Sequence, residues 1–313
     1  MDTRIKRVLV GVSGKSAKVI AAAADIAHKS KATVELVKVV RPLTQAYGLS
    51  PATAAMNNRI AAAAELKQLK KLAAHLIEAG VSVDCHVELS NSTTEGLLSC
   101  IDRSKPSLVA IEAHKHNVLA RLLLTQTDYN LIRHCPVPLL IVKNAIRSRS
   151  TRIMAALDPI GSKSSLDTEI VSAAHGFARL FHGAVHAAHV YAPLMGYVGD
   201  ATFAPVAVPV SLPQERRYVA TVRKGFKSFC SRSRIKPGNV HLKMGDPAFV
   251  LPTLARSTKA RMVVMGAVAR SGLQRALIGS TAEHVLDAMP CDVLVVKSPR
   301  STASAAQGGA RVA

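Results

Sequence analysis

The first residues that suggest chemistry are a lysine and a serine that follow a glycine. The segment RVLVGVSGKSAK places Lys15 and Ser16 directly after Gly14. A phosphate-binding P-loop needs an earlier glycine where Leu9 stands, because its backbone N–H groups must curl around the phosphates. Ser13 does not form a nucleophile elbow, because that turn needs glycine where Lys15 stands. The sequence therefore predicts neither a P-loop nor a catalytic serine.

Histidines and cysteines do not predict a metal site. His114 and His116 follow a predicted strand, with no cysteine or carboxylate spaced to complete a site. His186 and His189 are three residues apart on another predicted strand, so they face opposite sides. The cysteines lack CxxC spacing, which favours reduced thiols in a cytosol without zinc or disulfides. They are Cys85, Cys100, Cys135, Cys230 and Cys291.

A segment near the C-terminus favours anion binding. Three of its glycines let backbone approach a ligand closely: Gly266, Gly272 and Gly279. Ser280 and Glu283 predict a capping box at a helix start, where free N–H groups attract anions. Asp158 ends another predicted strand, and the strand order 3-2-1-4-5 would bring it beside Gly266 at the switch point. The alternative is that these are ordinary turn and cap residues.

Short β-branched runs alternate with helical patterns, which predicts α/β architecture with doubly wound parallel sheets. Strands are predicted at 6–12, 33–40, 81–87, 108–112, 138–143, 152–157, 184–190, 239–244, 261–265 and 292–297. Helices are predicted at 15–29, 56–79, 94–104, 120–134, 163–181, 212–233, 247–258 and 280–289. The stretch 192–213 contains four prolines and is predicted to be a loop.

The sequence repeats itself. Residues 108–143 align without a gap to residues 262–297, with ten identities among 36 positions, including Lys143 with Lys297. We therefore predict two tandem Rossmann-like domains, 1–145 and 151–300, followed by a disordered tail at 301–313. Each domain is expected to be a five-stranded parallel sheet with helices on both faces, in a flavodoxin-like layout.

The second copy resembles the universal stress protein family, whose signature G-x2-G-x9-G-(S/T) wraps nucleotide phosphates. Gly266, Gly279 and Ser280 match this signature, whereas Ala269 replaces its second glycine. The segment KMGDPAFVL resembles the GDP turn of the family, and the whole chain resembles the tandem-domain type. The resemblance implies ATP, with Mg²⁺, as a ligand, and Asp158 near its adenosine end.

The first copy departs from the family signature. Ser13 stands for the aspartate, Glu112 for the first glycine and Lys115 for the second, while Thr125 and Gln126 replace the final pair. A carboxylate would repel phosphate, and the missing glycines would close the loop. We therefore expect the first copy not to bind ATP in the family's manner.

The composition is that of a folded, strongly basic protein. The 313 residues are 49% hydrophobic, and the net charge is +21 with a pI near 10.2. Such a charge would attract nucleic acid or acidic partners, although a solvated basic surface is the simpler interpretation. The predicted helix from Leu212 has a basic outer side. No signal peptide or membrane span is predicted, and the expected location is cytoplasmic.

The resemblance implies a stress-response protein in which nucleotide or another anionic ligand regulates protein interaction, with no essential turnover. The halves are expected to pair as an intramolecular pseudo-dimer through the strands PLLIVK and DVLVVK, and further homodimerisation stays open. Two alternatives remain: a slow ATP hydrolase, and a basic protein that binds nucleic acid or anionic ligands without nucleotide.

Overall fold

The structure is a computed structural model of the whole chain. It describes residues 5–14, 16–43, 50–113, 124–144, 151–159, 165–198, 206–266 and 279–297. His114, His116, Lys115, Ala269, Gly272 and the tail at 301–313 lie outside the described residues.

The first half alternates strands and helices. Its elements are β1 Arg7–Gly11, α1 Ala17–Ser30, β2 Thr33–Val40, α2 Pro51–Glu78, β3 Val83–Leu89, α3 Thr93–Ser104, β4 Leu108–Glu112, α4 Gln126–His134 and β5 Leu139–Val142. The helix α2 begins earlier than predicted, because Ser50 caps it and Pro51 occupies its first turn.

The second half repeats this alternation with two additional strands. Its elements are β6 Arg152–Ala156, α5 Ser165–Leu180, β7 Ala184–Tyr191, β8 Met195–Val198, β9 Val206–Pro209, α6 Leu212–Arg232, β10 Val240–Met244, α7 Pro247–Ser257, β11 Met262–Gly266, α8 Ser280–Ala288 and β12 Asp292–Val296. The GDP turn initiates α7: Asp246 caps the helix and Pro247 begins it.

Ten strands form one sheet in the order β10-β7-β6-β11-β12-β5-β4-β1-β2-β3. Each half therefore has the predicted order 3-2-1-4-5, with parallel pairing inside the half. The halves join where β12 pairs antiparallel with β5, and Leu294 lies opposite Leu140. The predicted pairing through the two fifth strands is confirmed, and it makes one continuous sheet.

Helices cover both faces of this sheet, as predicted. Alternate strand residues enter two separate apolar cores, because successive side chains of a strand point to opposite faces. One core contains buried side chains of α1, α2, α5 and α6, and the other contains those of α3, α4, α7 and α8. Each core crosses the junction between the halves.

Two lysines aligned by the repeat link the halves. Lys143 Nζ donates to the carbonyl oxygens of Leu286, Asp287 and Met289 at 2.7, 3.3 and 2.9 Å. Lys297 Nζ donates to the carbonyl of Arg133 at 2.6 Å. Each lysine thus binds the C-terminal end of a helix in the other half, where carbonyl groups lack helical partners.

The prediction that residues 192–213 form a loop is wrong in part. The strands β8 and β9 pair antiparallel as a separate two-stranded sheet, with Met195 opposite Pro209 at the end of the ladder. Proline is tolerated in strands at edges and ends, because no partner there requires its missing N–H. The four prolines were therefore a poor argument against strands.

The faces of α6 agree with the prediction. Val222 and Phe226 are buried, whereas its six arginine and lysine side chains are exposed. Among the described helices, none has both the length and the apolar character of a membrane-spanning segment.

Candidate functional site

The candidate site lies at the switch point of the second half, between the carboxyl ends of β6 and β11. We call this place the second crevice. The two strands are parallel neighbours, with Val264 opposite Ala155. Gly266 ends β11, and Asp158 follows β6 by two residues. Both predicted site residues therefore lie at the same edge of the sheet, where open α/β sheets bind ligands.

Asp158 is held by its main chain and presents its side chain at the surface. Its N–H donates to Asp167 Oδ1 of α5 at 3.0 Å. Its carboxylate Oδ1 lies 3.8 Å from Nδ1 of His189, and the side chain is 42% exposed. An exposed carboxylate at this edge can accept hydrogen bonds from the hydroxyl groups of a ligand.

His189 was missed as a site residue, because the sequence only indicated that it and His186 face opposite sides of β7. Its Nδ1 lies 2.9 Å from the carbonyl oxygen of Leu157, so this nitrogen carries the proton and donates it. Burial lowers the pKa of His189, although the Leu157 carbonyl and Asp167 act in the opposite direction. The His189 ring thus lies beside the Asp158 carboxylate and packs at a tilt against Phe226, with the ring centroids 5.4 Å apart.

Gly266 packs closely against the start of α5. A Cβ there would lie 2.5 Å from Cδ2 of Leu166, in the first turn of α5. The apolar contact brings the start of α5 onto the end of β11, so the glycine shapes the floor of the crevice whether or not a ligand is bound. Neither Leu166 nor Asp167 was predicted, because no sequence pattern indicates where α5 contacts the neighbouring strand.

The N-terminus of α8 lies at the same edge. The strands β11 and β12 are parallel, so the chain must return from the carboxyl edge to the amino edge, and α8 makes that return. Gly279 is the N-cap residue, with φ −68° and ψ 143°, and no described side chain caps the helix. Ser280 is the exposed first helical residue.

The predicted capping box of Ser280 and Glu283 is wrong. The helix begins one residue earlier than that box requires, with Gly279 instead of Ser280 as its cap. Glu283 instead forms an ion pair with Arg133 of the first half, with Nη2 to Oε1 at 3.2 Å. Because the carboxylate is engaged elsewhere, the first N–H groups of α8 have no described side-chain acceptor, and they are suited to an anion.

The corresponding first crevice, between β1 and β4, contains a carboxylate of the chain itself. Glu112 Oε2 accepts hydrogen bonds from the backbone N–H groups of Lys18 and Val19 at 3.0 and 3.1 Å. These donors belong to the first turn of α1, where an anionic ligand would otherwise bind. The Lys18 ammonium group donates to the Lys143 carbonyl at 2.8 Å.

The other helix at the first crevice is capped by its own residues. Thr125 accepts from the backbone N–H of Asp128 at 3.2 Å, and Asp128 accepts from that of Thr125 at 2.7 Å. This capping box satisfies N–H groups at the start of α4. Side-chain oxygens thus occupy both helix N-termini at the first crevice, and their negative charge disfavours phosphate.

Comparison with known proteins gives one family for the whole chain. The sequence profile of the universal stress protein family matches residues 4–143 and again residues 150–297. Universal stress protein E of Salmonella typhi is 28% identical over 239 residues, which are 73% of this chain and 73% of that protein. Its counterpart in Escherichia coli K12 is 28% identical over 235 residues, covering 72% and 71%.

Solved structures show the same fold. A protein of unknown function from Pseudomonas aeruginosa PAO1 superposes with a TM-score of 0.76, at 23% identity and with 99% of each chain covered. A universal stress protein from Archaeoglobus fulgidus DSM 4304 gives a TM-score of 0.67 at 17% identity, covering 95% of this chain and 99% of that one.

Proposed function

This chain belongs to the universal stress protein family, with two copies of the family's domain, and from that premise we propose that its second half binds a nucleotide. ATP with Mg²⁺ is the first candidate. The nucleotide would regulate the protein's interactions during the stress response, and turnover is not required. The cytosol is the proposed location, where the five unpaired cysteines would stay reduced.

The observation that supports this proposal best is the contrast between the two helix N-termini that follow the fourth strand of each half. In α4 the cap is Thr125 with Asp128, whereas α8 begins at Gly279 without a described side-chain cap. The same fold therefore offers main-chain donors to a phosphate in the second half, and satisfies them internally in the first.

Asp158 and Ser280 supply the remaining polar groups. The half-exposed carboxylate of Asp158 suits the ribose hydroxyls of a nucleotide, whereas the exposed hydroxyl of Ser280 suits a phosphate oxygen or a metal-bound water. Mg²⁺ would be bound mainly through the phosphates, because this ion keeps most of its water and takes few protein ligands. Ala269 and Gly272, which lie outside the described residues, stay predicted parts of this site.

The experiment that tests the proposal is identification of the small molecules released when the purified protein is denatured, by mass spectrometry. Nucleotide in stoichiometric amount from the wild type, and none from Asp158→Ala combined with Ser280→Ala, is the expected result. Retention of nucleotide by the double variant would contradict the proposed site.

Phosphate release from ATP, measured on the same two proteins, separates binding from hydrolysis. Release that disappears in the double variant would favour the slow hydrolase instead of a purely regulatory ligand. Steeply salt-dependent binding of duplex DNA without any bound nucleotide would favour the basic nucleic-acid binder, which the exposed basic face of α6 could serve.

A further inference from the structure

A histidine, a glutamate and a cysteine converge at the outer edge of the first half, away from both crevices. His86 and Glu88 are two residues apart on β3 and therefore share a face, onto which α3 brings Cys100. His86 Nε2 lies 2.9 Å from Glu88 Oε2, and Cys100 Sγ lies 3.5 Å from the same oxygen. The three ligand atoms all lie within 4.8 Å of one another.

A positive group already lies in this cluster. Arg103, one turn after Cys100 on α3, donates to Glu88 Oε2 at 3.2 Å and to Cys100 Sγ at 3.3 Å. Glu88 Oε2 thus accepts hydrogen bonds from an imidazole, a thiol and a guanidinium group. The Arg103 side chain is 47% exposed, so it has a path towards solvent.

A second carboxylate lies behind the cluster. Glu35 of β2 has a side chain only 6% exposed, and its Oε1 lies 3.9 Å from Arg103 Nη2. Its Oε2 is 3.6 Å from Arg7 Nη1 and has no hydrogen-bond partner among the described residues. A buried carboxylate oxygen without a hydrogen bond favours a positive charge nearby.

We propose that His86, Glu88 and Cys100 bind a zinc ion, which takes the place of the Arg103 guanidinium. Sulfur, imidazole nitrogen and carboxylate oxygen together are a ligand set that Zn²⁺ accepts. A tetrahedral zinc ion separates such ligand atoms by about 3.3 to 3.5 Å. The 3.5 Å between Cys100 and Glu88 fits this range, whereas the 2.9 Å between His86 and Glu88 is a hydrogen-bond distance that must lengthen by a few tenths of an ångström. Water or Glu35 completes the coordination.

Binding releases protons. The Cys100 thiol and the Nε2 nitrogen of His86 must each present a lone pair to the metal. The thiol proton and the Nε2 proton that Glu88 accepts therefore both go to solvent, and a neutral His86 takes up one proton at Nδ1. No electron transfer is involved. Glu35 and Glu88 offset the charge of the ion once Arg103 has moved away.

The sequence predicted no zinc site because its cysteines lack CxxC spacing. Here the ligands come from a strand and from the following helix, and only the fold brings them together. The second half offers a natural comparison. Its edge strand β10 carries His241 two residues before Lys243, and α7 contains no cysteine.

The test uses untagged full-length protein, dialysed against Zn²⁺ and then against metal-free buffer, with bound zinc measured by elemental analysis. We expect about one zinc per chain in the wild type and in the control His241→Gln. His86→Gln and Cys100→Ser should each weaken zinc binding at least about tenfold. His86 is partly exposed, so its variant keeps the test decisive if Cys100→Ser fails to fold.

Two further results discriminate this site from adventitious binding. Arg103→Gln should strengthen zinc binding, because it removes the competing cation. Co²⁺ in place of zinc should show a thiolate charge-transfer absorption in the wild type that is absent in Cys100→Ser. Zinc binding that His86→Gln leaves unchanged, or that Arg103→Gln weakens, would overturn the proposal, and neither result depends on the nucleotide site.

Discussion

Neither the backbone angles of Gly279 nor its contacts with the described residues require glycine. Its φ of −68° suits any residue, and an added Cβ would meet no described heavy atom within 4 Å. Gly266 is the opposite case, because Leu166 fills the space beside it. Close approach of a ligand to the backbone would account for glycine at 279, and this explanation can be separated from stability by mutation.

We predict that Gly279→Ala weakens ATP binding about fivefold or more, equivalent to about 1 kcal/mol. The free energy of unfolding should change by less than about 0.5 kcal/mol, since the site is open and the backbone is extended. Calorimetric titration and urea unfolding measure the two quantities. The matched control is Thr125→Ala, which should lose about 1 kcal/mol of stability with its cap and bind ATP normally.

Three histidines of the second half should make its stability sensitive to acid. Burial lowers the pKa of His186, His189 and His241, and His186 Nδ1 lies 3.0 Å from His241 Nε2. A lowered pKa in the folded state means that these rings bind protons more weakly there than in the unfolded chain. Their contribution to stability is therefore complete above the unfolded value near pH 6.5 and is lost as the pH falls through the folded values.

We predict that the free energy of unfolding falls between about pH 7.5 and about pH 5.5, and falls less steeply in His241→Gln. Urea unfolding at several pH values measures this slope. His75→Gln is the control, because that ring is exposed and its loss should leave the slope unchanged. An unaltered slope in His241→Gln would show that the stacked rings of His186 and His241 do not cause the pH dependence.

At the scale of elements, periodicity predicted the ten strands of the main sheet within about two residues, because buried parallel strands leave a strong apolar signal. Prediction failed where the local structure depends on contacts between parts of the chain that are distant in sequence. The strand β9 ends in Pro209, a residue that strands tolerate at edges and ends. The capping box at Ser280 did not form, and Glu283 pairs instead with Arg133 across the junction.

The candidate site was less predictable than the fold. Asp158 and Gly266 could be placed together because strand order fixes which carboxyl ends are neighbours. Leu166 and His189 could not, because their contacts depend on how α5 and β7 pack against that edge. The cluster of His86, Glu88 and Cys100 could not be predicted either, because these residues meet only when α3 packs against β3.

The hydrogen bonds from Lys143 to the end of α8 predict a large loss of stability when this lysine is replaced by methionine, an uncharged residue of similar size. Lys143 is 1% exposed, and burial lowers its pKa to about 8. We predict that Lys143→Met lowers the free energy of unfolding by roughly 1–3 kcal/mol, because the buried carbonyl oxygens of Leu286 and Met289 and the part-buried one of Asp287 lose their donor. Lys297→Met should cost less, since Lys297 makes one such bond. Equal stability of wild type and Lys143→Met would refute this role.

The whole molecule is one sheet with two cores that both cross the junction. Leu140 and Leu294 face each other there and are fully buried. The halves should therefore unfold together. We predict a single calorimetric transition whose calorimetric and van't Hoff enthalpies agree.

Leu294→Ala should shift that whole transition by about 2–5 kcal/mol without dividing it. Two resolved transitions in the wild type would show that each half is stable alone. In that case the shared sheet would be only a docking surface between independent domains.

The central claim is that a repeated fold has kept one ligand site and filled the other with its own side chains. Titration of the full-length protein with Mg²⁺ and ATP, with stoichiometry read by native mass spectrometry, tests this most directly. We predict one nucleotide per chain, lost in Asp158→Ala combined with Ser280→Ala and retained in Glu112→Gln. Two nucleotides per chain, or one that survives the double variant, would contradict the account.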